Sequence, residues 1–211
     1  MERGLFITVE GTDGAGKSTQ LAYISDYMKE KGESAIFTRE PGGTPIGEKI
    51  RALILDRRNE EMSPLTEMML YAASRSQHVA QMIGPAITRG RIVVCDRFID
   101  SSLAYQGHAR GLGDAVEVVN QYAVGEFMPD ATFLLKLDPK IGLQRIKEGE
   151  KDRMERQDAA FYRAVYEGYL ALEEAYPDRI IGIDASQPAA VVSEEIRRHL
   201  DRLLLARKVQ W

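Results

Sequence analysis

The sequence predicts an α/β fold, a three-layer sandwich of helices on both faces of a mostly parallel sheet. Five short runs rich in β-branched and apolar residues recur along the chain, with helical patterns in the intervals between them. These runs are apolar at consecutive positions rather than alternate ones, which marks strands buried on both faces, as parallel strands are. In such a sheet ligands bind beyond the carboxyl ends of the strands, so those ends are where chemistry is sought.

The first run, "LFITVE", passes directly into "EGTDGAGKST" at residues 10 to 19. Gly11, Gly16, Lys17 and Ser18 satisfy G-x-x-x-x-G-K-[ST] between a strand and a helix, the setting in which the pattern has a mechanism. Backbone N–H groups of Gly11, Thr12, Asp13, Gly14, Ala15, Gly16, Lys17, Ser18 and Thr19 close around phosphate oxygens, Lys17 reaches the β and γ phosphates, and Ser18 offers a hydroxyl to Mg2+. Asp13 puts a carboxylate inside an anion-binding loop and demands a separate explanation. The helical pattern "STQLAYISDYMKEKG" follows, then the strand run "SAIFTRE" and the helical stretch "IGEKIRALILD".

A long helical pattern spans "PLTEMMLYAASRSQHVAQMIGPAITRG" and places Tyr71 and Arg75 four residues apart on one face. A ring that stacks on a base, with a guanidinium one turn along to meet the base edge, suits a nucleotide acceptor; a core tyrosine gives the same spacing. The third strand run, "RIVVCDR", ends in Asp96 with Arg97 just beyond. An acid at that place holds Mg2+ and the adjacent arginine grips phosphate, or the two simply form an ion pair at a strand end. Cys95 reads as a small buried hydrophobe rather than a nucleophile. In "SSLAYQG", residues 101 to 107, the hydroxyls, Tyr105 and Gln106 either line a sugar and base pocket or form a helix start and turn.

The runs "ATFLLKLD" and "RIIGIDA" supply the fourth and fifth strands, with the helical pattern "DAAFYRAVYEGYLALEEAY" between them and a last helix from about 188 to 208. Between 145 and 158, "RIKEGEKDRMERQD" mixes Arg145, Lys147, Lys151, Arg153 and Arg156 with Glu148, Glu150, Asp152 and Glu155. Such a stretch is a solvated face, or a lid whose cations reach transferring phosphate. "LLKLDPK" approaches the guanine-reading N-K-x-D pattern, but Leu135 stands where asparagine is needed, which argues against a GTPase.

The composition sets bounds. With 211 residues, 44% hydrophobic and 28% charged, and no linker-like tract, the chain reads as one globular domain over 1–211. A net charge of -4 gives no broad footprint for nucleic acid. One cysteine excludes an internal disulfide and fits a reducing cytoplasm, and the short apolar run at the start meets Glu10 too early for a signal peptide or membrane span.

The motifs together resemble the thymidylate kinases. "EGTDGAGKSTQ", "TREPGGT", "EKIRALIL", "YAASR", "DRFIDSSLAYQG", "LDPKIGLQRI", "DRME" and "IDASQP" fall in that family's order over nearly the whole chain. The resemblance implies a P-loop NTPase fold of the nucleoside monophosphate kinase type with a five-stranded parallel sheet, a homodimer, and transfer of phosphate from ATP with Mg2+ to dTMP. It implies an acceptor site in which Arg97 and Arg51 hold the dTMP phosphate, Glu40 and Pro41 lie near sugar and base, Tyr71 stacks on thymine and Arg75 donates toward O4. It further implies that Tyr105 excludes a 2′-hydroxyl, that Ser101, Ser102 and Gln106 line the pocket, that Asp13 accepts from the sugar 3′-hydroxyl, and that Ser18 and Asp96 serve Mg2+. Some relatives carry a catalytic arginine where this chain has Ala15. In those that lack it the lid supplies the charge, which points to Arg153, then Lys147 and Lys151, beside Asp13, Lys17 and Arg97 as the catalytic set. The remaining alternatives are a kinase for another nucleoside monophosphate and a P-loop regulatory protein.

Overall fold

The computed structural model describes residues 3–145 and 152–209. Its strands are β1 (Phe6–Glu10), β2 (Ala35–Arg39), β3 (Ile92–Asp96), β4 (Ala131–Lys136) and β5 (Ile180–Asp184), each inside one of the five apolar runs. They form one parallel sheet in the order β2-β3-β1-β4-β5, so β1, entirely buried, lies at its centre.

The helices are α1 (Lys17–Glu30), α2 (Pro45–Leu55), α3 (Pro64–His78), α4 (Gly84–Thr88), α5 (Ile99–Ser102), α6 (Asp114–Val124), α7 (Pro139–Arg145), α8 (Ala159–Ala175) and α9 (Ala189–Val209). Alternation along the strands divides the core into layers. Ile7, Val9, Ile92 and Val94 pack on Ile24 and Met28 of α1 and Val192, Ile196 and Leu200 of α9. Phe6, Val93 and Cys95 point the other way, onto Ile83, Ile87, Phe98 and Val124. A third cluster joins Leu134 and Ile180 to Val165 and Tyr169 of α8.

Local chemistry fixes several helix starts. Thr44 and Ser63 each accept a bond from a backbone N–H of the first turn, and each is followed by proline, whose missing N–H costs nothing there. Asp158 caps α8 in the same way through the Phe161 N–H.

Two helices lie outside the patterns read from sequence. α6 spans 11 residues between Gly113 and Gly125 without a side-chain cap, and α7 has only 7, too few for a period to declare itself. The long pattern from 64 to 90 is divided by a π-helical turn at Val79–Ile83, just before Pro85, whose missing N–H interrupts the ordinary ladder. A second π-helical turn, Leu103–Ala109, continues α5 and carries Tyr105 and Gln106. Such turns widen a helix where side chains must be re-aimed.

The short α7 forms the floor of the phosphate loop. A Cβ on Gly142 would lie 2.4 Å from the Asp13 carbonyl oxygen, and one on Gly14 would lie 2.1 Å from the Gly142 carbonyl oxygen. Both closest atoms are backbone, so neither loop nor helix yields cheaply. Gly142→Ala is therefore expected to destabilise the protein by about 1–3 kcal/mol and to weaken nucleotide binding, measured by urea denaturation and by titration with ATP; unchanged values of both would show that the floor is compliant.

Candidate active site

The loop from Gly11 to Gly16 leaves β1 and turns into α1. Lys17, the first residue of that helix, bends back so that Nζ donates to the carbonyl oxygens of Gly11 (3.0 Å) and Thr12 (3.1 Å). Burial, with repulsion from Arg97, lowers its pKa to about 8. Ser18 and Thr19 are exposed on a cleft of about 830 Å3 that the loop shares with Gln20, Arg145 and the Ala185–Ala189 segment. Asp96 reaches the same cleft from the end of β3, and its Oδ1 is buried with no partner among the described residues.

Asp13 has its explanation beside it. Arg97 donates through Nη2 to Asp13 Oδ1 at 2.6 Å, and the Tyr162 hydroxyl donates to Oδ2 at 3.2 Å. Burial raises the Asp13 carboxyl, but Arg97 and Lys17 outweigh it, so it titrates below the usual carboxylate range. Arg97 itself sits at φ 66°, the one non-glycine residue in the left-handed region among those described. Its Nη1 donates to Gly11 O (3.0 Å), Ser101 Oγ (3.1 Å) and Tyr169 Oη (3.2 Å). Cys95 is buried, as read from sequence, and its thiol lies 3.0 Å from the Arg97 carbonyl oxygen.

On the other side of Asp13 and Arg97 lies a smaller cavity of about 190 Å3, lined by Pro41, Arg51, Tyr71, Arg75 and Tyr105 among others. Asp13, Asp96, Arg97 and Glu155 line both cavities. Arg75 is 1% exposed and held by four bonds: Nε to Glu40 at 2.8 Å, Nη1 to Ser102 Oγ at 2.9 Å and to Asn120, and Nη2 to the Phe98 carbonyl at 2.9 Å. Those partners occupy four of its five N–H groups and leave one on Nη2. Glu40 is thus the counter-ion of Arg75, shared with His78 Nδ1 at 3.0 Å. Arg51 reaches the same wall and donates to the Pro41 carbonyl at 2.9 Å. The Tyr105 hydroxyl is buried without a partner among the described residues.

The structure therefore gathers Asp13, Glu40, Pro41, Arg51, Tyr71, Arg75, Arg97, Ser101, Ser102, Tyr105 and Gln106 around one cavity. Ser101, Ser102 and Gln106 line it while bonded to Glu10, Arg75 and Glu67 respectively. Arg153 is the departure. It was expected at the transferring phosphate, but it is buried in an ion pair with Glu67 (2.7 Å) and donates from Nε to the Ile54 carbonyl, which directs it away from the phosphate loop. Lys147 and Lys151, the other lid candidates, lie outside the described residues, as does most of the expected lid's tip.

Several members of the site escaped the sequence reading. Glu67 stands one turn before Tyr71 and two before Arg75, a row of spacing 4 that extends the pair already noticed. Tyr162 and Tyr169 are 7 apart in α8 and share its inner face. Glu10 gave no periodic signal. Its carboxylate accepts from Phe98 N (2.7 Å), Ser101 Oγ (2.6 Å) and Tyr169 Oη (2.8 Å), so it shapes the turn that presents Arg97.

Burial and the nearby Asp100 charge raise the Glu10 pKa from 4.5 to about 7, against the pull of Arg97 and the donors. Between those two values the folded chain binds more protons than the unfolded one, so this group's contribution to stability falls as pH rises through that window. In urea denaturation run from pH 4.5 to 7.5, the stability of wild type relative to Glu10→Gln is expected to decline by up to about 3 kcal/mol. A difference that stays flat would assign the turn's stability to other groups.

Comparison with known proteins places this geometry. The sequence profile described as Thymidylate kinase matches residues 9–196. The thymidylate kinase of Lactobacillus helveticus is 48% identical over 207 residues, covering 96% of this chain and 98% of its own, and that of a Geobacillus species is 50% identical over 190 residues, covering 88% and 90%. Among solved structures, the thymidylate kinase of Ehrlichia chaffeensis superposes with a TM-score of 0.77 at 31% identity, covering 94% of this chain and 99% of its own. A phosphate loop, a second cavity that meets it at Asp13 and Arg97, and matches of this breadth lead to one conclusion: the chain belongs to the thymidylate kinase family.

Proposed function

We propose that the protein transfers the γ-phosphoryl group of ATP to the 5′-phosphate of dTMP, releasing ADP and dTDP. The observation that carries this reading is the meeting of two cavities at Asp13, Asp96 and Arg97. A nucleotide held by the phosphate loop and a second one held beside Tyr71 and Arg75 bring their phosphates to that junction.

The same reading assigns a role to each residue of the site. Loop N–H groups and Lys17 hold the donor's β and γ phosphates. Arg97, already the partner of Asp13, turns part of its fork to the acceptor phosphate, with Arg51 beside it. Asp13, once shared with the acceptor, receives the sugar 3′-hydroxyl. The remaining Nη2 hydrogen of Arg75 meets thymine O4, where cytosine would present a second donor, and Tyr71 stacks on the ring. The buried Tyr105 hydroxyl occupies the place a 2′-hydroxyl needs.

No side-chain base is required. The acceptor phosphate loses its second proton near pH ~6, so at neutral pH it is already the nucleophile. Rate then comes from in-line positioning and from cations at the equatorial oxygens. Lys17 and Arg97 lie at the junction. Of the described cations of the 145–158 segment, Arg145 faces the phosphate-loop cleft, whereas Arg153 and Arg156 are paired with Glu67 and Glu60.

Ser18 and Asp96 are the residues that would hold Mg2+. Their all-oxygen donors suit a hard cation, and the unpartnered Asp96 Oδ1 is a buried acceptor on the cleft. Among the described residues no cluster of three or more acidic, His or Cys side chains could hold a metal alone, which fits an ion held largely by substrate phosphates and water. Bound there, such an ion would neutralise charge on the donor's phosphates.

The proposal extends to a single domain with 145–158 as its cover, to a homodimer, and to the cytoplasm. The packed pair α3 and α6 exposes Leu65, Met69, Val118 and Tyr122, apolar surface suited to a second copy. Among the described residues no helix is long and apolar enough to cross a membrane, and the one cysteine is a free thiol.

A coupled assay of ADP release against dTMP, dUMP, UMP, dCMP and AMP tests the reading. We expect dTMP to give the highest kcat/KM, with dCMP and UMP lower by about 10²-fold or more. Preference for AMP or dCMP would move the protein to another nucleotide, and ADP release independent of any acceptor would make it a switch. Arg97→Ala is expected to lower kcat by about 10³-fold; a change in dTMP KM alone would limit Arg97 to binding.

A further inference from the structure

Arg153 joins three elements that carry acceptor-side residues. Its backbone N–H donates to the Leu55 carbonyl at 3.1 Å and its Nε to the Ile54 carbonyl at 2.7 Å, so it satisfies two of the carbonyls left open at the end of α2. Its Nη2 meets Glu67 of α3 at 2.7 Å, with the two side chains 6% and 1% exposed. Glu67 in turn accepts from Gln106 Nε2 at 2.9 Å and from Arg110 Nη2 at 3.2 Å, both on or beside the second π-helical turn. Arg110 also donates to Gln157 Oε1 at 2.9 Å, fastening the far end of the same segment. Between these fastenings, Asp152, Met154 and Glu155 line the small cavity.

We propose that Arg153 is a positioning residue of the acceptor site, which with Glu67 latches the segment from Asp152 to Gln157 over the small cavity and sets the walls on which Arg51, Tyr71 and Gln106 stand. The geometry is weighted toward the small cavity. Arg51 and Leu55 are one turn apart on α2, Glu67 and Tyr71 one turn apart on α3, and all but Glu67 line that cavity. Neither Arg153 nor Glu67 lines either cavity; of the segment they hold, Asp152 and Met154 line the small cavity alone and Glu155 lines both. Loss of Glu67 would leave the buried Arg153 cation uncompensated, whereas Glu67 without Arg153 would keep only the more distant Arg110. Lysine in place of Arg153 keeps the charge toward Glu67 but cannot span carboxylate and carbonyl as a planar fork does.

This inference rests on the small cavity being the dTMP site, so its test has one arm that needs no substrate. Hydrogen exchange of the nucleotide-free protein reads the latch: Glu67→Gln is expected to speed exchange at the Arg153 amide by at least 10-fold while the β1 amides stay protected. Unchanged exchange there overturns the latch. Steady-state kinetics reads the positioning. Arg153→Lys and Glu67→Gln should each raise the dTMP KM by about 10-fold, change kcat by less than about 3-fold and leave the ATP KM unaltered. A fall in kcat at constant dTMP KM would make Arg153 a contributor to the transition state, and equal rises in both KM values would mark general damage; either overturns the proposal. Failure of wild type to phosphorylate dTMP refutes the substrate assignment and with it the acceptor role, leaving the exchange result to stand for the latch itself.

Discussion

The bond between Asp13 and Arg97 is the constraint around which the site is organised. It lets an anion-binding loop contain a carboxylate, because the guanidinium 2.6 Å away, together with Lys17, outweighs the cost of burial. It also fixes where the loop after β3 must turn, and the turn in turn fixes Ser101, Tyr105 and the wall they form. Lys17 shares the neighbourhood, and burial with repulsion from Arg97 lowers its pKa to about 8, so the unliganded junction already carries competing cations. A phosphate arriving there relieves repulsion rather than creating charge.

Support for that pair comes from behind. Glu10 holds Phe98 N, Ser101 Oγ and Tyr169 Oη, while Tyr162 reaches Asp13 from the same helix as Tyr169. Asp100, next to Ser101, is tied to Arg179 and Thr132, which anchors the turn to the start of β4 and the chain entering β5. Central strand, the turn after β3 and α8 therefore form one polar network inside an otherwise apolar layer. Each member has partners, as buried polar groups require.

Much of this was legible in the sequence because two signals are local. Strands buried on both faces announce themselves as apolar runs, and all five did; the phosphate loop is a contiguous pattern whose context on both sides could be checked. The pair Tyr71 and Arg75 was visible through helical spacing alone. What the sequence hid is non-local. Glu67 lies in the same row as that pair, but its reason for burial is Arg153, 86 positions later. The mixed-charge segment carried cations suited to a lid, yet nothing in its spelling says that one arginine turns inward to close a helix end. Short α6 and α7 lacked the length to show a period, and α7 matters chiefly through Gly142, a residue whose lack of a side chain is its contribution.

The left-handed backbone of Arg97 has a consequence for what mutation can reach. Glycine or asparagine would relax the main chain at φ 66° but forfeit the cation; lysine would keep the charge but lose the fork that touches Asp13, Gly11, Ser101 and Tyr169 together. A branched residue fails on both counts. The position passes two independent filters that favour opposite amino acids, and the small set of side chains that survives both makes it a narrow gate for sequence drift, one that substitutions elsewhere cannot widen without first rebuilding the turn.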